Sequence, residues 1–184
     1  MRDHGGNLDL AIDLYGGRRS DWIDLSTGIN PIAYPIGRVD PRESSDLPSD
    51  SDLLELEQAA RTFWTVPSEA QVVATNGASA AITALPFLLN GEKVSIEQPT
   101  YSEYDSAFRN AGWQRDETAF DLKVLVHPNN PTGKIWTEGD LNCGTVIVDE
   151  SFSDVVSDRT LISHSNEPGR IFVKSFGKFC GLPG

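Results

Sequence analysis

Lys178 lies in the run Ser175-Phe176-Gly177-Lys178, just after the strand-like Arg170-Ile171-Phe172-Val173. A primary amine held in a glycine-bearing turn at a strand end can be oriented to condense with an aldehyde, which is Schiff-base chemistry. Lys174 is the rival amine, set where a strand's pleat would fix its side chain. A solvated surface lysine is the plain alternative for Lys178.

Other strand ends also carry residues able to do chemistry. Thr75-Asn76-Gly77-Ala78-Ser79 stands at the mouth of a helix, where free N–H groups and a hydroxyl suit a phosphate. Gly77, Ala78 and Ser79 are equally an ordinary helix start. Tyr101, in Gln98-Pro99-Thr100-Tyr101, either presents a flat ring at the sheet edge or packs in the core. Asn129-Asn130-Pro131-Thr132-Gly133 offers two amides, or only turn chemistry. Asp149 ends an apolar run. A carboxylate there is costly to bury unpaired, so it needs a cation or a hydrogen-bond network, unless it is a helix N-cap.

The elements that must position these residues alternate. Gln71–Ala74, Lys93–Ile96, Lys123–Val126, Thr145–Val148 and Arg170–Val173 read as strands. Helical patterns cover Ala78–Leu89 and Tyr101–Ala111, stopped by Asn90-Gly91 and Gly112. A further helix opens at Asp52 with Glu55 at capping-box spacing. This order predicts an α/β fold with a mostly parallel sheet sandwiched by helices and functional loops at the strands' carboxyl ends. Before Asp52 the chain is irregular, with a short helix over Asp9–Tyr15 and a short strand over Trp22–Leu25. The connection from Val126 to Thr145 is tight for a crossover helix, which fits only over Thr137–Asn142.

Composition bounds the function. The 184 residues carry a net charge of −12, with 39% apolar residues and four Trp, as in a soluble globular protein. No basic stripe exists to neutralise nucleic-acid phosphates. A phosphorylated small molecule needs only a local pocket of donors. Cys143 and Cys180 have no metal-ligand spacing and read as free thiols of the cytoplasm. The start, Met1 to Gly6, has no apolar segment of the signal-peptide kind, and no run approaches a membrane span.

Taken in order, the phosphate loop, Tyr101, Asn130-Pro131-Thr132-Gly133, Asp149 and Ser175-x-x-Lys178 resemble fold-type I pyridoxal-phosphate enzymes of the aspartate and histidinol-phosphate aminotransferase group. His4-Gly5-Gly6-Asn7 and Asp24-Leu25-Ser26-Thr27-Gly28-Ile29-Asn30-Pro31 narrow the resemblance to the threonine-phosphate decarboxylase branch of cobalamin biosynthesis. It runs from His4 to Gly184.

The resemblance implies a pyridoxal 5'-phosphate cofactor joined to Lys178, with Asp149 pairing the ring nitrogen and Tyr101 stacking on the ring. Asn130 would serve the phenolic oxygen. Gly77, Ala78, Ser79 and Ser175 would hold the phosphate, and His4 and Asn30 would meet the substrate. Gln98–Pro99 and Asn130–Pro131 are the expected cis bonds. Residues 1–40 would be an N-terminal arm with part of a small domain, and 41–184 an incomplete cofactor-binding large domain.

In related aminotransferases a Tyr follows the Asp by three residues. Here that position is Phe152, which has no hydroxyl and favours decarboxylation. The family also continues past the lysine, into arginines that hold the cofactor phosphate and the substrate carboxylate and into a carboxyl-terminal small domain. Those parts would be missing. The implied partners are a small phosphorylated amino acid and, if the protein is complete, a second copy. An aminotransferase, and a non-catalytic remnant that at most binds cofactor, are the competing expectations.

Overall fold

The computed structural model describes residues 5–183. Its helices are α1 (Leu8–Tyr15), α2 (Asp50–Phe63), α3 (Ala78–Leu88) and α4 (Ser102–Asn110). Its strands are β1 (Lys93–Ile96), β2 (Gln114–Arg115), β3 (Leu122–Val126), β4 (Thr145–Asp149) and β5 (Arg170–Val173). They form one sheet in the order β2-β1-β3-β4-β5, with every neighbouring pair parallel. The central strands are apolar almost throughout because both of their faces are covered.

On one face Val94, Ile96, Val124 and Ile147 pack against Ile82 of α3 and Tyr104 and Phe108 of α4. On the other face Leu125, Val146 and Val148 lie with Trp136, Leu141 and Leu161. That second cover comes from loops and 3-10 turns rather than long helices. Over β1 and β2 the second face is polar. Ser95 donates its hydroxyl to Glu117, and Lys93 pairs with Asp116 at 3.0 Å.

Several local expectations change. The Thr137–Asn142 helix is a single 3-10 turn, Glu138–Leu141, capped reciprocally by Thr137 and Asp140. The His127–Gly133 loop uses the residues a longer helix would need. Gln71–Ala74 is not a strand: Val73 is 75% exposed and no ladder partner lies beside the run among the described residues. Trp22–Leu25 fails the same way, with Ile23 and Leu25 more than four-fifths exposed. Extended sequence becomes sheet only where a neighbour accepts its hydrogen bonds. β2 has the opposite history, being polar and unmarked in sequence yet paired to β1. α2 starts before Asp52, because Ser49 caps it and Asp52 reciprocates as the third helical residue.

Gln98–Pro99 and Asn130–Pro131 are both cis, and so is His127–Pro128. Among the described residues no helix is long and apolar enough to cross a membrane, and no His/Cys/Asp/Glu group could hold a metal ion. Cys143 and Cys180 are free thiols.

Candidate active site

The parallel register sets Val126, Asp149 and Val173 abreast on adjacent strands. The loops that carry Asn130 and Lys178 therefore leave the same sheet edge on either side of Asp149. Tyr101 follows β1 onto that edge as the N-cap of α4.

Asp149 is 3% exposed. Its Oδ1 accepts the Ser151 N–H and its Oδ2 the Tyr104 hydroxyl, both at 2.9 Å. Burial pushes its pKa up, opposed by those two hydrogen bonds and by the charge of Lys178. Tyr104 is fully buried, and burial together with the Asp149 charge pushes its phenol well above the ordinary value. It is therefore a donor at any physiological pH. The sequence reading missed Tyr104. The available signal was its place one helical turn beyond Tyr101, on the same face.

Lys178 is half-buried. Its amine lies 5.4 Å from the centroid of the Phe152 ring and has no ion-pair partner among the described residues. Lys174 is in a different state. Its amine bonds Glu150 Oε2 at 3.2 Å, Asp154 Oδ1 at 3.1 Å and the Ser153 hydroxyl. Glu150 is wholly buried and also accepts the Leu161 N–H and the Thr160 hydroxyl, each at 2.6 Å. Trp64 donates its indole N–H to Asp154 at 2.9 Å and stacks on Phe176 at 5.0 Å between centroids. Of the two rival amines, Lys174 is tied into a buried charge network and Lys178 is left open.

The two asparagines divide similarly. Asn129 is buried; its amide donates to the Pro99 carbonyl at 2.9 Å and the Thr132 hydroxyl at 2.7 Å, and it accepts from Thr100. Asn130 is exposed, and its side-chain amide has no hydrogen-bond partner among the described residues. Tyr101 is partly buried against the core that holds Tyr104, so part of its ring is structural.

At the start of α3, Gly77 has φ +80°, and nothing lies within 4 Å of where a Cβ would stand. No side chain caps this helix; the Ala80 N–H bonds the Gly77 carbonyl at 3.2 Å, and the N–H groups of Ala78 and the exposed Ser79 have no side-chain acceptor. Ser175 accepts the Gly177 N–H at 3.0 Å and shapes the lysine turn. Asn30 has both ends of its amide engaged by backbone, donating to Phe179 and accepting from Ile32. His4 lies outside the described residues.

This edge can accept a flat cationic ring over a buried carboxylate, an anion at a helix N-terminus and a carbonyl carbon at an open amine.

The sequence profile of the aminotransferase class I and II family matches residues 43–124. The threonine-phosphate decarboxylase of Pseudomonas aeruginosa is 34% identical over the whole of this chain, which spans 60% of that relative's length. The histidinol-phosphate aminotransferase structure from Clostridium acetobutylicum superposes on 86% of this chain and 57% of its own, with TM-score 0.72 and 21% identity. That of the Sinorhizobium meliloti enzyme, in complex with pyridoxal-5'-phosphate, covers 77% of this chain and 47% of its own, with TM-score 0.64 and 16% identity. Over its whole length the chain is homologous to threonine-phosphate decarboxylases, residues 43–124 carry the aminotransferase class I and II profile, and the fold is that of the fold-type I neighbours.

Proposed function

We propose that this chain carries most of the cofactor site of a pyridoxal 5'-phosphate-dependent lyase that decarboxylates L-threonine O-3-phosphate to aminopropanol phosphate in cobalamin biosynthesis. The observation that carries the reading is Asp149, a buried carboxylate at a strand end whose hydrogen-bond donors, Tyr104 and Ser151, are both neutral. A protonated ring nitrogen supplies the missing positive charge. The open start of α3 fits the cofactor's phosphate.

In this reading Asp149 holds the proton on the ring nitrogen, and Tyr104 and Ser151 fix the carboxylate's orientation. Tyr101 covers the ring, and Asn130 offers its free amide to the ring oxygen. Gly77, Ala78, Ser79 and Ser175 hold the phosphate. Lys178 would hold the cofactor through its open amine. When bound, the cofactor supplies an electron sink for the bond broken at the substrate's α-carbon. Phe152 presents an apolar ring to the Lys178 amine where a hydroxyl would otherwise compete for the ring oxygen. His4 remains the proposed substrate contact from the N-terminal end. The division into a 1–40 arm and a 41–184 cofactor domain, a two-fold homodimer and a cytoplasmic location belong to the same proposal.

The test is optical and then chemical. Purified protein with added pyridoxal phosphate develops the visible or near-ultraviolet band of a lysine-linked cofactor, and Lys178→Ala abolishes it. Absence of that band in the parent protein overturns the reading. Carbon dioxide released from threonine phosphate identifies the decarboxylase, and amino transfer to 2-oxoglutarate the aminotransferase. A band without either turnover identifies a cofactor-binding remnant.

A further inference from the structure

Three consecutive carbonyls of the Lys178 turn are captured by one distant segment. The Asn30 N–H donates to the Lys178 carbonyl at 3.0 Å, the Asn30 side-chain amide to that of Phe179 at 2.9 Å, and the Tyr34 N–H to that of Cys180 at 2.8 Å. The Asn30 Oδ1 accepts the Ile32 N–H at 2.9 Å, which fixes the way the amide points. Such bonding requires backbone pressed against backbone, and two glycines permit it. A Cβ on Gly181 would stand 2.6 Å from the Asn30 carbonyl oxygen, and Gly181 has φ +64° as well. A Cβ on Gly28 would stand 2.7 Å from the Phe152 ring, the ring that faces the Lys178 amine. The 28–34 segment is therefore held at two points, against the Lys178 turn at Gly181 and against the Phe152 ring at Gly28.

The amino-terminal side of the turn is fixed independently. Phe176 stacks on Trp64, and Lys174 is locked among Glu150, Ser153 and Asp154. Beyond the turn's own bonds, from the Gly181 N–H to the Lys178 carbonyl and from the Leu182 N–H to that of Phe176, each at 3.2 Å, the contacts that set the height and direction of Lys178 come from the segment from Gly28 to Tyr34.

We propose that Asn30 is a positioning residue for Lys178, and that docking of residues 28–34 and occupancy of the Lys178 amine are thermodynamically linked. The first half stands on the interlock alone; the second rests on the cofactor reading above. A group joined to Lys178 selects one position of the turn. That position favours the docked segment, and by reciprocity the docked segment tightens the hold on the group. The segment thus acts as a wall of the site through backbone contacts, before any substrate is present.

Hydrogen exchange on the full chain tests both halves. In unloaded protein, Asn30→Ala and Gly28→Ala are each expected to speed exchange of the Gly181 and Leu182 amides about tenfold. With pyridoxal phosphate added to the parent, the amides of Asn30 and Tyr34 are expected to slow. Asn30→Asp keeps an acceptor for the Ile32 N–H and turns the Phe179 contact from attraction to repulsion, so it serves as a second variant if the alanine variant folds poorly. In these variants the cofactor dissociation constant is expected to rise about tenfold, and the pH midpoint of the bound cofactor's colour to shift. A purely structural role would lower thermal stability and leave that midpoint in place.

Unchanged exchange of the turn amides in the variants overturns the positioning role. Cofactor binding that leaves Asn30 and Tyr34 exchange unchanged overturns the linkage. If the parent binds no cofactor, the cofactor reading and the linkage fail together, while the unloaded comparison still decides the positioning role.

Discussion

Tyr104 donates its buried hydroxyl to Asp149 Oδ2 at 2.9 Å, so a helix on one face of the sheet reaches the carboxylate at the end of β4. Tyr104→Phe removes the donor and leaves that carboxylate one hydrogen bond short. The expected destabilisation is about 1–3 kcal/mol near neutral pH. Its sign with pH follows from the raised pKa of Asp149. Losing a donor to the charged form raises the folded-state value further. The folded state then binds its proton more tightly than the unfolded chain, so stability falls as pH rises through the folded value. The penalty of Tyr104→Phe is therefore expected to shrink in acid, where Asp149 is protonated. Urea titrations of both proteins across that pH range check it.

Asp149→Asn separates stability from binding. Asn keeps an oxygen for the Ser151 N–H, and the Tyr104 hydroxyl can turn to accept from the new amide. No charge is buried, so the unloaded variant is expected to be as stable as the parent at neutral pH, or more so. Cofactor affinity is expected to fall at least about 100-fold, because the ring nitrogen loses its counter-charge. Thermal melting of unloaded protein and equilibrium dialysis of the cofactor read the two effects apart.

The two lysines of the turn predict opposite phenotypes. Lys174→Met leaves Glu150 and Asp154 as uncompensated charges in a site where the lysine side chain is 9% exposed. About 3–5 kcal/mol of stability should be lost. Lys178→Met removes an amine with no ion-pair partner, whose charge only eases the burial of Asp149, and should cost less stability than Lys174→Met. It should nonetheless abolish the cofactor band. Denaturant midpoints beside absorbance spectra make the comparison, and equal stability losses would contradict the assignment.

Asn129 and Asn130 form the same kind of pair. Asn129→Ala frees the Pro99 carbonyl and two hydroxyls inside the loop and should cost about 2 kcal/mol. Asn130→Ala should leave the melting temperature nearly unchanged while shifting the absorbance maximum of the bound cofactor.

The order of strand-end motifs was readable because each sits where an apolar run stops, and parallel pairing brings those stops to one edge. Lys93–Ile96, Thr145–Val148 and Arg170–Val173 announced themselves by β-branched and apolar runs. Gln71–Ala74 carried the same signal and formed no strand, because sheet formation depends on a neighbour that local sequence does not encode. Gln114–Arg115 became a strand for the converse reason. At the site, Lys178 and Asp149 were visible as charges at strand ends. Tyr104 was hidden because a tyrosine in a helix reads as core until its hydroxyl is seen to reach Asp149. The partners of Lys174 were hidden as well: Glu150, Ser153 and Asp154 are adjacent in sequence only to each other. The hold of Asn30 on the lysine turn, through its amide to the Phe179 carbonyl, spans 149 positions of sequence, and no local pattern could carry it.

The short path between β3 and β4 has a kinetic consequence. Loop-closure entropy grows with the logarithm of loop length, so this pairing is among the cheapest long ladders in the sheet to close. It also buries Leu125, Val146 and Val148 beneath Trp136 and Leu141, which lie on that same connection. The pair is thus the expected seed on which β1 and β5 later condense. Leu125→Ala should then slow folding, whereas Ile171→Val on β5 should mainly hasten unfolding, as stopped-flow measurements against denaturant would reveal. A chain that lets two of its central strands meet without a full helix between them exchanges cover on one face for speed of assembly.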